Sequence, residues 1–471
     1  MSTYESVKAV LADLGGIAKV RSNDTISIND EAAFREKMDS LVRGAVFGED
    51  ERVRNSCRWI IREGARALGV IPASIHEYYL ARGRGEFEGP VVPAINIRGM
   101  TYDAARAVIR AVEDEKVGPF LFELAKSETG YTGQAPSEYA TVCIAAACRE
   151  GYRGPVCIQG DHYQVNLKKF KSDPEGILQE LRDLISASME AGYWNIDIDA
   201  STTVDLEQST VAEQQKNNSE ITADLTAYIR ELEKKLGAKG ITVSVGGEIG
   251  EVGGKNSTAE ELKAYIDGFK EALSKRGEDL IGLSKVSIQT GTSHGGVVLP
   301  DGSIAEVAID FDVIKELDVV AKEYGLGGVV QHGASTLPDE AFNKFQEDNA
   351  LEVHLATGFQ NIQYDGGYFP ADLKEEIYAH LREHHAGERK EGWTDEQFYY
   401  KLRKKGFGPF KRKIWGLPED VRTPINNALY DKFVFLFRQL GVSDTLEHRK
   451  AIPLVEVKTK QPMGLEKQLL D

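Results

Sequence analysis

Two kinds of segment alternate along most of this 471-residue chain. Apolar runs rich in β-branched residues fall at 91–97 (VVPAINI), 119–125 (PFLFELA), 155–162 (PVCIQGDH) and 194–201 (WNIDIDAS). Four more follow at 241–250 (ITVSVGGEIG), 283–292 (LSKVSIQTGT), 327–335 (GGVVQHGAS) and 350–358 (ALEVHLATG). Between them lie segments with helical period, such as TYDAARAVIRAVEDE and DPEGILQELRDLISASMEAG. Near-continuous apolar strands separated by helices form a parallel sheet covered on both faces. Eight such units predict a closed (β/α)₈ TIM barrel, with an open doubly wound sheet as the alternative. No Gly-x-Gly-x-x-Gly follows the first strand, so a dinucleotide site has no support.

The first 90 residues read as mostly helical, and the chain after residue 372 is again helical and highly charged. We therefore expect an N-terminal helical extension over 1–90, a catalytic barrel over 91–386 and a C-terminal helical extension over 387–471. Hydrophobic residues make up 41% and charged residues 28%, which suits a globular protein with a sizeable core. The net charge of −17 argues against nucleic acid as a partner. No apolar run is long enough to span a membrane, and the N-terminus lacks a signal-peptide layout. Cys57, Cys143, Cys148 and Cys157 form no Cys-x-x-Cys pair, so we read them as reduced core thiols of a cytoplasmic protein.

Barrel enzymes place their chemistry at the C-terminal ends of strands. Here strand three ends in Asp161-His162, strand four in Asp199-Ala200-Ser201 and strand five at Glu248. Strand six runs out at His294 and strand seven at His332-Gly333. Three of only nine histidines thus reach one mouth. Three neutral imidazoles that leave one position open suit a catalytic zinc ion. Glu248 would be a fourth, exchangeable ligand or a partner that orients one. His354 ends strand eight and points to the same mouth or to the barrel interior. His380, His384, His385 and His448 lie in charged helical stretches and read as solvated. The glycines in SHGG and QHGAS let backbone amides approach an anion, so Gly295, Gly333, Ser335 and Thr357 could cradle one phosphate.

Residues 91–370 resemble the class II, metal-dependent fructose-bisphosphate aldolases. The likeness rests on VVPAINIRGMTYDAARAVIRAVEDE, GDH at 160–162, DAS at 199–201, GGEIGEVGG at 246–254, and then GTSHGG, QHGAS and LATG in order. It implies a zinc site of His162, His294 and His332 with Glu248 beside it. It implies Asp161 as the acid/base at the substrate's C4 hydroxyl. It places the C1 phosphate on Gly295, Gly333, Ser335 and Thr357, often with a monovalent cation nearby, and Asn96 and Ser127 around the substrate. The implied activity is reversible cleavage of fructose 1,6-bisphosphate in glycolysis and gluconeogenesis, by a homo-oligomer. Alternatives are an aldolase for a related ketose phosphate such as tagatose 1,6-bisphosphate, a non-catalytic aldolase-like partner subunit, or a metal-dependent hydrolase. Cleaving a β-hydroxy ketone leaves an enolate whose charge a zinc ion stabilises as a Lewis acid. The competing Schiff-base route needs a lysine at a strand's C-terminal end, whereas Lys285 begins strand six.

The sequence departs from the family pattern in three places. The acidic pair in the loop after the fifth strand is replaced by GGKNST, which leaves Glu251 as the nearest candidate for the C–H base. The final strand carries His354 where the family has asparagine. The arginine that grips the far phosphate has no match in YFPADLKEE. A basic stretch, KLRKKGFGPFKRK at 401–413, holds seven basic residues and no acid. We expect its Gly-Pro centre to turn and fold over the barrel mouth, its own or a neighbouring subunit's, to bind that phosphate through Arg403, Lys405, Lys411 and Arg412; the alternative is a solvated or subunit-contact face.

Overall fold

All eight expected strands are present in a computed structural model, which describes residues 3–250, 255–291, 299, 309–334 and 337–465. They are β4 (Val92–Asn96), β5 (Leu121–Ala125), β6 (Gly154–Gln164), β7 (Asn195–Asp199), β8 (Ser244–Glu248), β9 (Lys285–Ile288), β10 (Val329–Gln331) and β11 (Glu352–Leu355). Each pairs in parallel with the next, and β11 returns to β4, closing the ring. Helices between the strands cover the outside, as in a (β/α)₈ barrel.

The terminal regions are helical, but the N-terminal one also carries strands that periodicity does not reveal. Ala18–Arg21 (β1) and Thr25–Ile28 (β2) form an antiparallel hairpin. Val70–Ala73 (β3) pairs with the first residues of β6, along the edge that β7 takes up from Gln159 onward. Asn195 ties this junction together: its Nδ2 donates to the carbonyls of Ala73 and Ile158, and its Oδ1 accepts from the Ile75 amide. The helix His76–Gly83 then crosses the barrel bottom, where Tyr78 and Tyr79 pack on Val92, Ala94, Leu121, Cys157 and Leu351.

The C-terminal helix Glu419–Gln439 packs along the barrel helix Thr101–Asp114, with Arg422 on Asp103 at 2.9 Å. Residues beyond it return to the N-terminal region, where the Trp59 indole donates to the Thr459 carbonyl. His448 is not solvated: its ring stacks near Phe87 and meets the Tyr78 hydroxyl. The four cysteines are buried and unpaired. Among the described residues, no helix is long and apolar enough to cross a membrane.

The barrel interior is charged below its mouth. Lys285 is fully buried, and its Nζ donates to Gln159 Oε1 at 2.7 Å, Asp197 Oδ2 at 2.9 Å and Glu352 Oε1 at 2.7 Å. Burial alone would discharge the amine, but Asp197 and Glu352 outweigh it and raise its pKa. Gly246 makes room for this pair, since a Cβ there would come within 2.3 Å of Asp197 Oδ1 and 2.9 Å of Lys285 Cε. Lys285→Met would strand two buried carboxylates. We expect it to cost about 3–5 kcal/mol, read as a lower urea midpoint at unchanged slope. A loss below about 1 kcal/mol would mean that the carboxylates reprotonate freely.

Candidate metal and substrate site

Adjacent residues of a regular strand point to opposite faces. Asp161 and His162 nevertheless both line the cavity at the barrel mouth. The cause is a bulge in β6: Gly160 pairs with Ile196 and Tyr163 with Ile198, so Asp161 and His162 together oppose the single residue Asp197. His162 absorbs the extra residue at φ 42°, in the left-handed region that costs a β-carbon strain.

Around this bulge the imidazoles meet. The His162 and His332 rings lie 4.2 Å apart, and the His332 and His354 rings 4.0 Å apart. Asp161, His162 and His332 bring potential ligand atoms within 4.8 Å of one another. His162 Nδ1 faces Asp199 Oδ2 and Glu248 Oε2, each at 3.1 Å. A proton held on Nδ1 by carboxylates leaves Nε2 as the donor atom, on the side of Asp161. Asp199 is itself fixed by the Ser201 hydroxyl at 2.6 Å and Gln164 Nε2 at 2.6 Å. Glu248 accepts from Gln289 Nε2 at 3.1 Å. Of the two roles open to Glu248, this geometry suits the orienting one. His294, Gly295, Glu251 and Ser335 lie outside the described residues.

The cluster is short of positive charge. Burial and the Asp199 carboxylate push Glu248 up to about 7. Burial, opposed by His354 and reinforced by Asp161, pushes Glu123 up to about 8. Burial works against a charge on His162, yet Asp161 and Glu248 hold its proton well above the ordinary range. Such a donor set of imidazoles and crowded carboxylates fits a divalent cation, which would relieve the repulsion.

The cavity has a volume of about 540 Å³, and Asn96, Ser127, Asp161, His162, His332, Gly333, His354 and Thr357 line it while Glu248 does not. Asn96 donates to Glu128 Oε2 at 2.6 Å, and Ser127 sits in the short helix Lys126–Tyr131. Gly333 has φ 73°, so a side chain there would be strained, and Thr357 opens the helix Thr357–Asp365. His354 faces both ways: Nε2 lies 2.6 Å from Glu352 Oε1 in the interior, and Nδ1 lies 2.8 Å from Glu123 and 3.3 Å from Asp161.

Several lining residues escape a reading of strand ends. Glu123 sits in mid-strand in PFLFELA, where a lone acid in an apolar run was the available signal. Arg98 follows β4 and is held by Glu128 Oε1 at 2.7 Å. Lys126 and Gln164 also line the cavity, as do Tyr400, Lys401 and Lys404 from the C-terminal region.

The basic stretch does fold over the mouth, but the four side chains expected to grip phosphate are engaged elsewhere. Arg403 is buried on Asp365 at 2.6 Å, and Lys405 pairs with Glu388. Lys411 pairs with Glu138 at 2.6 Å, and Arg412 donates to the Phe47 carbonyl and lies over that ring. Each partner comes from a distant part of the sequence, which is why composition alone misassigned them.

A parallel barrel with histidines and carboxylates gathered at the C-terminal ends of its strands defines a barrel enzyme with a metal-capable mouth. The family model for class II fructose-bisphosphate aldolases matches residues 85–396, and the chain belongs to that family of carbon–carbon lyases. Solved structures of similar fold share little sequence. A probable tagatose 6 phosphate kinase from Sinorhizobium meliloti 1021 is 15% identical, with a TM-score of 0.50, over 77% of this chain and 100% of that one. The YdjI aldolase from Escherichia coli K12 is 12% identical, with a TM-score of 0.46, over 79% and 99%. A fructose-bisphosphate aldolase from Campylobacter jejuni is 16% identical, with a TM-score of 0.45, over 80% and 97%. No curated protein sequence matches the chain.

Proposed function

We propose that this protein is a zinc-dependent aldolase that reversibly cleaves fructose 1,6-bisphosphate to dihydroxyacetone phosphate and glyceraldehyde 3-phosphate. The observation that carries the reading is the convergence of Asp161, His162 and His332 at one point of the mouth cavity. His162 and His332, together with His294 by the family resemblance, would hold the metal. When bound, the ion supplies Lewis-acid stabilisation of the charge that develops on the ketone oxygen.

The rest falls to the protein. Asp161 takes the proton from the C4 hydroxyl as the C3–C4 bond breaks, and returns it in the synthetic direction. His354 Nδ1, 3.3 Å from Asp161 Oδ1, orients that carboxylate. Gly333 and Thr357 line the cavity and would cradle the C1 phosphate, a role the family resemblance also gives to Gly295 and Ser335. Asn96 and Ser127, which also line the cavity, would border the sugar. Asp199 and Glu248 hold the His162 ring in place. Retention of both the acid/base and its neighbouring histidines supports a catalytic subunit over a non-catalytic partner.

Fructose and tagatose bisphosphates differ only in configuration at C4, the carbon whose hydroxyl Asp161 addresses. Steady-state kinetics on both therefore tests the substrate assignment. We expect kcat/KM to favour fructose 1,6-bisphosphate by at least tenfold. A preference for the tagatose isomer would reassign the substrate within the same chemistry.

A further inference from the structure

Beyond residue 396, where the family match ends, the chain sends two cations, Lys401 and Lys404, back into the mouth cavity. Of the seven basic residues at 401–413, five are fixed to other partners: Arg403, Lys405, Lys411 and Arg412 as above, and Lys413 on Glu376. Lys401 has an interaction of its own, and Lys404 is different. It lines the cavity that holds Asp161, His162 and His332, and makes no ion pair with any described residue. Its Nζ lies 5.5 Å from the Tyr131 ring.

The lysine is also held in place. The Gly408 amide donates to the Tyr131 carbonyl at 3.1 Å, anchoring the turn on the end of the helix Lys126–Tyr131. Phe407 packs on Gly99 so closely that a Cβ there would come within 2.2 Å of the ring. Arg98 lies beside Lys404, already committed to Glu128. Burial, and then the Arg98 charge, push the Lys404 amine down to about 8. The Glu128 carboxylate opposes that shift but is already shared by Arg98 and Asn96, so the ammonium is poised for an anion from outside the chain.

We infer that Lys404 binds the phosphate at the far end of the substrate, on the half released as an aldehyde phosphate. This rests on the aldolase reading and deepens it. The added C-terminal segment, and not a residue of the barrel, supplies the second anionic grip. The ligand chemistry is a tetrahedral oxyanion carrying two charges, and its arrival restores the charge that Arg98 and burial suppress.

Lys404→Met and Lys404→Arg separate this role from a structural one. With fructose 1,6-bisphosphate, Lys404→Met should raise KM by about tenfold to a hundredfold, the loss expected for one charge-assisted contact. With fructose 1-phosphate, which lacks the far phosphate, the same variant should stay within about twofold of wild type. Lys404→Arg should recover most of the bisphosphate KM. Calorimetry at pH 8.5 in two buffers gives a second readout. The bisphosphate should draw a proton onto wild-type protein, and less onto Lys404→Arg, which is charged from the start. Equal losses on both substrates, or none on either, would overturn the inference. If wild-type protein cleaves neither sugar, binding decides. Bisphosphate affinity that depends on Lys404 upholds the grip and sinks the aldolase reading alone. Affinity that is absent or independent of Lys404 overturns the grip itself.

Discussion

Asp161→Asn is expected to lower turnover of fructose 1,6-bisphosphate by about 10²–10⁴, the usual worth of a positioned acid/base. Metal content and KM should change little. The asparagine keeps the size of the side chain and its hydrogen bonding to His354, but cannot accept the C4 hydroxyl proton. The loss should therefore sit in kcat, which marks an interaction made only in the transition state. Asp161 also lies within ligand distance of His162 and His332. Metal analysis of the same variant separates the two roles. A variant that loses its metal would make Asp161 a ligand, and one that turns over normally would make it structural.

Metal occupancy carries the second large effect. His162→Ala, His332→Ala and His294→Ala should each purify without stoichiometric zinc and without activity, since the proposed site has only three protein ligands and would lose one. His384→Ala, about half exposed on the helix Ala371–His384, should keep both. Asp199→Asn addresses the support of the site. It removes charge from the Nδ1 side of His162, and should weaken zinc binding about 10–100-fold without abolishing it. Equal zinc in the wild type and all three histidine variants would remove these residues from the metal site.

The sequence exposed the barrel because each strand is short, apolar and followed by a helix of the right period. It exposed the mouth because polar residues at strand ends stand out against those runs. What it concealed depends on contacts between distant residues. Glu123, Asp197, Lys285 and Glu352 each look like a lone charge in an apolar strand. Only the closed ring brings Lys285 onto Asp197 and Glu352, and Glu123 onto His354. The bulge that turns His162 toward Asp161's side of the strand has no local signature, because its cost is met by the pairing of β6 with β7. The strand β3 is four residues long, too short for any period to show. In the basic turn, clustering suggested a phosphate grip. The choice between Lys404 and its neighbours depended on Asp365, Glu388 and Glu138, which approach only in the folded chain.

Metal dependence of carbon–carbon cleavage is the central claim, and removal and return of zinc tests it most directly. Protein stripped with a chelator and dialysed should lose cleavage of fructose 1,6-bisphosphate, and one equivalent of zinc should restore it. Borohydride added with substrate should leave no covalent adduct, since Lys285 is held inside the barrel by Asp197 and Glu352. Full activity in excess chelator, with a reduced adduct on any lysine, would contradict the account and place the chemistry on an amine.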